Sequence, residues 1–137
     1  MSKNFRVVIY YEDTDFSGCV YHANYLKFIE RARSNLIALL GVDQLTLRRE
    51  NMSFAVTDLS AKFIKPAYFG DSLEVETNFV KITGASIQLS QRVLKKHECI
   101  FKADIKLALV SEGRARRLPR HVKEKLVNWD NLYNKNL

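Results

Sequence analysis

From Asn24 to Leu40, apolar side chains recur at three- and four-residue steps (Tyr25, Leu26, Phe28, Ile29, Ala32, Leu36, Ile37, Leu39 and Leu40). The helix they predict is apolar around much of its circumference. Such a helix cannot rest on one neighbour and leave the rest of its surface in water; other elements must curve around it. Gly41 supplies the left-handed residue that ends helices. At the other end Asn24 is the candidate cap, although no Glu or Gln follows three residues on.

What remains of the chain reads mostly as strand. Phe5, Val7, Ile9 and Tyr11 alternate with Arg6, Val8 and Tyr10. Further strands are expected over roughly 54–64, 73–82, 86–94 and 99–110, with a weaker helical stretch at 43–50. The strand over 99–110 is the clearest: Cys99, Phe101, Ala103, Ile105, Leu107 and Leu109 face one way and Lys102, Asp104 and Lys106 the other. A short strand at 114–118 and a helix opening at Pro119 complete the pattern. One long apolar helix and a run of meandering strands predict an α+β fold, a curved antiparallel sheet wrapped around that helix. At 137 residues the whole chain, 1–137, is expected to form a single domain.

The formal charge is +7, which favours polyanions or phosphorylated small molecules without choosing among them. The cations are scattered except for the run Arg114, Arg116, Arg117, Arg120, Lys123 and Lys125. Cys19 and Cys99 lack metal or CxxC spacing and read as reduced thiols. No apolar run suits a signal peptide or a bilayer span, so a cytoplasmic protein without membrane insertion is expected.

The chemistry lies in the segment ahead of the helix, Tyr11-Glu12-Asp13-Thr14-Asp15-Phe16-Ser17-Gly18-Cys19-Val20-Tyr21-His22-Ala23-Asn24-Tyr25. A helix start has free backbone N–H groups and partial positive charge, so it can hold a polarised carbonyl or an oxyanion. A carboxylate just upstream can then act on the same carbonyl as nucleophile or general base. The residues alone do not rank Asp13 against Asp15, and an Asx-turn accounts for either one by itself.

This segment, its continuation Leu26-Lys27-Phe28-Ile29-Glu30-Arg31-Ala32-Arg33, and the later Lys65-Pro66-Ala67 and Gly70-Asp71 resemble the signature of the 4-hydroxybenzoyl-CoA thioesterase-like hotdog family. The resemblance is to its bacterial branch of acyl-CoA thioesterases encoded with the Tol-Pal cell-envelope system. It implies a hotdog fold, hydrolysis of acyl-coenzyme A to free acid and coenzyme A, Asp15 as the catalytic carboxylate, and the His22 amide as the donor to the carbonyl. The His22 side chain is expected to support Asp15. Gly18, Tyr21 and Asn24 become candidate substrate contacts, while the plainer reading has Tyr21 packing and Asn24 capping. Arg114 and Arg116 fall where relatives contact coenzyme A phosphates. Glu30 is expected to pair with Arg31 or Arg33.

Coenzyme A then enters as part of the substrate, and neither cofactor nor metal is expected. Association as a homodimer or homotetramer is implied, with acyl carrier protein as a further acyl donor. Two rivals remain: a hotdog hydratase or dehydratase, which relies on a different His-containing motif that the Asp13-Thr14-Asp15 signature fits poorly, and a basic module binding nucleic acid or anionic lipid. The second lacks any base-reading motif with interleaved aromatics, so no nucleic-acid partner is expected.

Overall fold

The computed structural model describes residues 4–129. Along the chain come β1 (Phe5–Val8), a single 3-10 turn (Tyr11–Asp13), α1 (Asn24–Leu39), α2 (Gln44–Arg49), β2 (Ser53–Phe63), β3 (Ser72–Ile82), β4 (Ser86–Lys95), β5 (Glu98–Ser111), β6 (Arg114–Arg116) and α3 (Arg120–Val127). The first strand ends earlier than alternation suggests. Ile9 N–H turns to the Asp71 carbonyl at 3.0 Å, and Tyr10 N–H is captured by the Asp13 carboxylate at 2.9 Å, which starts the turn.

The strands form one antiparallel sheet in the order β1-β3-β4-β5-β2, with β6 beside the end of β5. Its inner face is built by period-two alternation: Leu73, Val75 and Phe79 on β3, Ile87, Leu89 and Val93 on β4, and Phe101, Ile105, Leu107 and Leu109 on β5 are all buried. Against them α1 sets Tyr25, Phe28, Ile29, Ala32, Leu36 and Ile37. Each large side chain buried there stabilises the fold by roughly 1.5–3 kcal/mol. Val122 and Leu126 of α3 join the same core, and Trp129 meets Phe79 edge-on at 5.5 Å.

Two features depart from simple alternation. The register slips where Val93 pairs with Phe101 but Leu94 pairs with Cys99, leaving Ile100 as the extra residue of a bulge. Cys99 therefore does not continue the inner face of β5; Ile100 is buried instead, and its carbonyl accepts the amides of Ile64 and Lys65 at 2.9 and 3.1 Å. The second is Gln91, polar and fully buried in the middle of β4. Its Nε2 donates to the Ile29 carbonyl at 2.8 Å and to Thr77 Oγ1 at 2.9 Å, tying the helix to the sheet at a fixed depth. Arg33 turns inward to Gln91 Oε1 at 3.4 Å, and burial pushes its guanidinium below its ordinary value. Glu30 does not form the expected ion pair: it accepts from Ser34 Oγ at 3.0 Å, because Arg33 lies on the sheet side of the helix.

Candidate active site

The signature segment folds as a tight turn laid against the loop after β2. Thr14 and Val20 form an isolated antiparallel bridge, Asp15 N–H donates to the Cys19 carbonyl at 2.9 Å, and Gly18 N–H returns to the Asp15 carbonyl at 3.0 Å. Gly18 has φ +89°, the left-handed conformation that the turn requires. Val20 N–H donates to the Ala67 carbonyl at 2.8 Å, and Cys19 bridges Tyr68, so the segment around Lys65-Pro66-Ala67 supports the turn. Gly70 and Asp71 fasten that support: Asp71 accepts the Tyr68 amide at 2.8 Å and pairs with Lys95 at 2.8 Å. Burial works to raise the Asp71 pKa, but these partners outweigh it and hold the carboxyl below its ordinary value.

The two aspartates part company here. Asp13 is buried; its Oδ2 takes the Tyr10 amide and its Oδ1 takes Asn24 Nδ2 at 3.0 Å. Asp15 is exposed and lines a cavity of about 360 Å³ with Cys19, Val20, His22 and Tyr25, closed on the far side by Phe63, Ile64, Lys65 and Pro66. Hydrogen bonds from the Ser17 hydroxyl and then from its amide hold the Asp15 carboxyl below the usual carboxylate range, with the His22 imidazole adding a smaller push the same way. Asp15 is therefore ionised at neutral pH.

At the helix entrance the cap is Ala23 rather than Asn24, and no side chain bonds to the free amides. Asn24 N–H reaches the Tyr21 carbonyl, whereas the His22 and Ala23 amides donate to no backbone carbonyl among the described residues. Asn24 is the first helical residue, and its side chain is spent on Asp13. Its expected role as cap or substrate contact gives way to bracing the loop. Tyr21 does not line the cavity; its ring lies 4.5 Å from the His22 ring. The back of the cavity is aromatic: Tyr25 stacks on Phe101 at 4.9 Å and meets Phe63 at 5.8 Å. Burial raises the Tyr25 pKa.

Replacing Asp13 with Ala leaves the buried Asn24 amide and the Tyr10 amide without an acceptor, an expected cost of about 1–3 kcal/mol. Thermal unfolding measures it, and an unchanged midpoint contradicts the bracing role.

Arg114 and Arg116 are exposed on β6, away from this cavity within one chain. Arg116 pairs with Leu109 and Phe63 with Phe101, and the stretch of β5 between those registers spans about 27 Å. A larger hollow of about 480 Å³ lies on the outer face of the sheet around Asp58, Asp104 and Lys106. It has neither a helix entrance nor the signature carboxylate. Phe63 and Ile64 were not singled out in the sequence as site residues. The signal for them was the adjacent Lys65-Pro66-Ala67 motif, which marks the wall without saying which side chains face in.

On this hotdog sheet an ionised carboxylate, an aromatic-backed cavity and free amides at a helix entrance lie together, an arrangement whose chemistry suits a thioesterase. The Thioesterase-like superfamily profile matches residues 10–126, and the chain belongs to that family. It is 39% identical over 123 residues to the Acyl-CoA thioesterase YbgC of Haemophilus influenzae, covering 88% of this chain and 90% of that one. The Acyl-CoA thioester hydrolase YbgC of Escherichia coli is 32% identical over 119 residues, covering 85% and 89%. Among solved structures, a probable thioesterase from Bartonella henselae superimposes with a TM-score of 0.80 at 34% identity, over 85% of this chain and 98% of that one.

Proposed function

We propose that this protein hydrolyses acyl-coenzyme A thioesters to free acid and coenzyme A. The observation that carries this reading is the shared cavity of ionised Asp15 and the helix entrance at His22. The thioester carbonyl sits against the His22 N–H, which stabilises the developing oxyanion; a single such donor supplies about 2.7–4 kcal/mol in known cases. Asp15 then attacks the carbonyl carbon, displacing the coenzyme A thiolate and leaving a mixed anhydride that water cleaves, or it takes a proton from an attacking water. The exposed His22 imidazole supports the Asp15 negative charge. Gly18 allows the ligand to approach the main chain. Neither a cofactor nor a metal enters this scheme.

A panel of coenzyme A esters, from short to long with an aromatic ester included, tests the reading by release of free thiol. No thiol release from any of them, together with salt-sensitive binding to nucleic acid or anionic vesicles, would favour the binding-module rival. The same panel run on acyl carrier protein tests that carrier, an acidic partner suited to a basic chain.

The working unit in this reading is a homodimer or a homotetramer built from it, located in the cytoplasm. The support is β2: eleven residues long, paired among the described residues only with β5, and exposed over most of its length, an edge of the kind that pairs with a second copy. Antiparallel pairing of β2 with its counterpart lays the Phe63 end of one strand beside the Ser53 end of the other, where β6 lies. That brings a partner's basic β6 within about three strand spacings, roughly 14 Å, of the cavity. Arg114 and Arg116 then serve the site across the dimer, as phosphate contacts suited to the arginine fork. Alanine at both positions is expected to raise KM about tenfold for a coenzyme A ester and little for a truncated pantetheine ester, in line with losing one charge-assisted contact. Equal effects on the two esters refute the phosphate contact.

A further inference from the structure

Among the described residues, both hydrogen bonds that another residue gives the Asp15 carboxylate go to the same oxygen. Ser17 N–H donates to Asp15 Oδ1 at 2.8 Å and Ser17 Oγ reaches the same oxygen at 2.5 Å. Ser17 Oγ also lies 2.9 Å from Cys19 Sγ. Counting protons gives this chain a direction. An ionised carboxylate only accepts, so the single hydroxyl proton of Ser17 goes to Asp15, and the contact to Cys19 requires the thiol to donate to Ser17 Oγ. Residues 15, 17 and 19 thus form a relay of donors ending on Oδ1. No other residue among those described hydrogen-bonds Oδ2, and the amide of Asp15 itself adds only a smaller pull on the carboxyl.

We infer that Ser17 is the positioning residue of the reaction: its amide and hydroxyl clamp Oδ1 of Asp15, fix the carboxylate rotamer and leave Oδ2 as the oxygen that reacts. The clamp is an Asx-turn, in which the Asp15 side chain takes the amide two residues on; Gly18 at φ +89° then turns the chain so that Cys19 meets Ser17. A carboxylate fully exposed on a loop would otherwise sample several rotamers, and each unproductive one lowers the fraction of substrate complexes ready to react. The clamp also favours the charged form, consistent with Ser17 being the main cause of the lowered Asp15 pKa. The other titratable groups lining the cavity with Asp15 are Cys19 on the same turn, His22 at the helix entrance, Tyr25 on α1 and Lys65 on the loop after β2, whose ammonium is paired with Glu98. None of them donates to Oδ1, so the hold on that oxygen belongs to Ser17.

The inference rests on the reading of Asp15 as the catalytic carboxylate, and the test separates the two. Carbon-13 carboxyl titration by NMR, with Asp15 assigned by its absence in Asp15→Asn, follows the carboxyl in the free enzyme without turnover. The pH profile of thiol release follows it in catalysis. Ser17→Ala is expected to move the Asp15 titration to higher pH, to move the acid limb of kcat/KM the same way, and to lower kcat on the pH plateau about ten- to hundredfold. Ser17→Thr, which keeps both donors, restores the titration, the limb and most of kcat. An Asp15 titration unmoved in Ser17→Ala overturns the clamp. A titration that moves while the rate profile stays put overturns the positioning role. Hydrolysis by Asp15→Asn near the wild-type rate instead removes the reading of Asp15 itself, whatever Ser17 does to the carboxyl.

Discussion

Asp15→Asn is expected to lower kcat for acyl-coenzyme A hydrolysis by about a thousandfold, within the 10²–10⁴ range that a positioned acid–base group supplies, and to change KM far less. The substitution preserves shape and charge-independent contacts. An asparagine carbonyl at the Oδ1 position still accepts from the Ser17 amide and hydroxyl, so the turn keeps its form. What disappears is the negative charge beside the carbonyl, needed for attack or for proton removal from water. Binding through the helix entrance and the coenzyme A chain persists, which is why the loss falls on kcat. The acid limb of the wild-type profile should lie below the usual carboxylate range, because the Ser17 contacts depress the Asp15 pKa: activity is full above that pKa and declines as pH falls through it. After single turnover in oxygen-18 water, label in the Asp15 carboxyl identifies covalent attack followed by water cleaving the anhydride at the aspartyl carbon. Hydrolysis by the asparagine variant at near the wild-type rate sinks the assignment.

The fold was legible because its main signals are periodic and local. Three- and four-residue steps set α1, period two set β5, and Gly41, with φ +93°, closes the helix as read. The misreadings share a cause, a side chain recruited by a residue distant in sequence. Asn24 looked like a cap until Asp13, eleven positions away, took its amide. Glu30 makes no close ion pair with Arg33, whose guanidinium is drawn instead to the side-chain oxygen of Gln91, fifty-eight positions away. At the site, the roles of Asp13 and Asp15 could be ranked only by resemblance, since their burial depends on how the loop docks on Ala67 and Asp71. Arg114 and Arg116 pose the same problem at larger scale: within one chain they lie on β6 away from the cavity, and the proposed contact runs through a second copy, a relation that no pattern within one sequence carries.

Phe101→Ala is expected to destabilise the protein by about 3–5 kcal/mol, a large part of a total that is typically 5–15 kcal/mol. For a chain of this length that corresponds to a fall in unfolding midpoint of roughly 10–20 °C, readable by calorimetry. Phe101 is 0% exposed, stacks on Tyr25 with the ring planes 9° apart, and meets Phe63 edge-on at 5.1 Å. Removing it opens a cavity that neither neighbour can fill, because Tyr25 is fixed on α1 and Phe63 on β2. Phe63→Ala provides the contrast. The same side-chain type lies directly opposite on the neighbouring strand, but it is 54% exposed, so its loss forfeits less buried area and leaves no enclosed void. Its expected cost is about 1 kcal/mol, with the effect falling on KM because it walls the substrate cavity. The two variants thus separate a residue that supports the site from one that faces the ligand. Equal shifts in midpoint would mean that Phe63 is as deeply packed as Phe101 in the assembled protein, and the aromatic wall would then belong to the core rather than to the site.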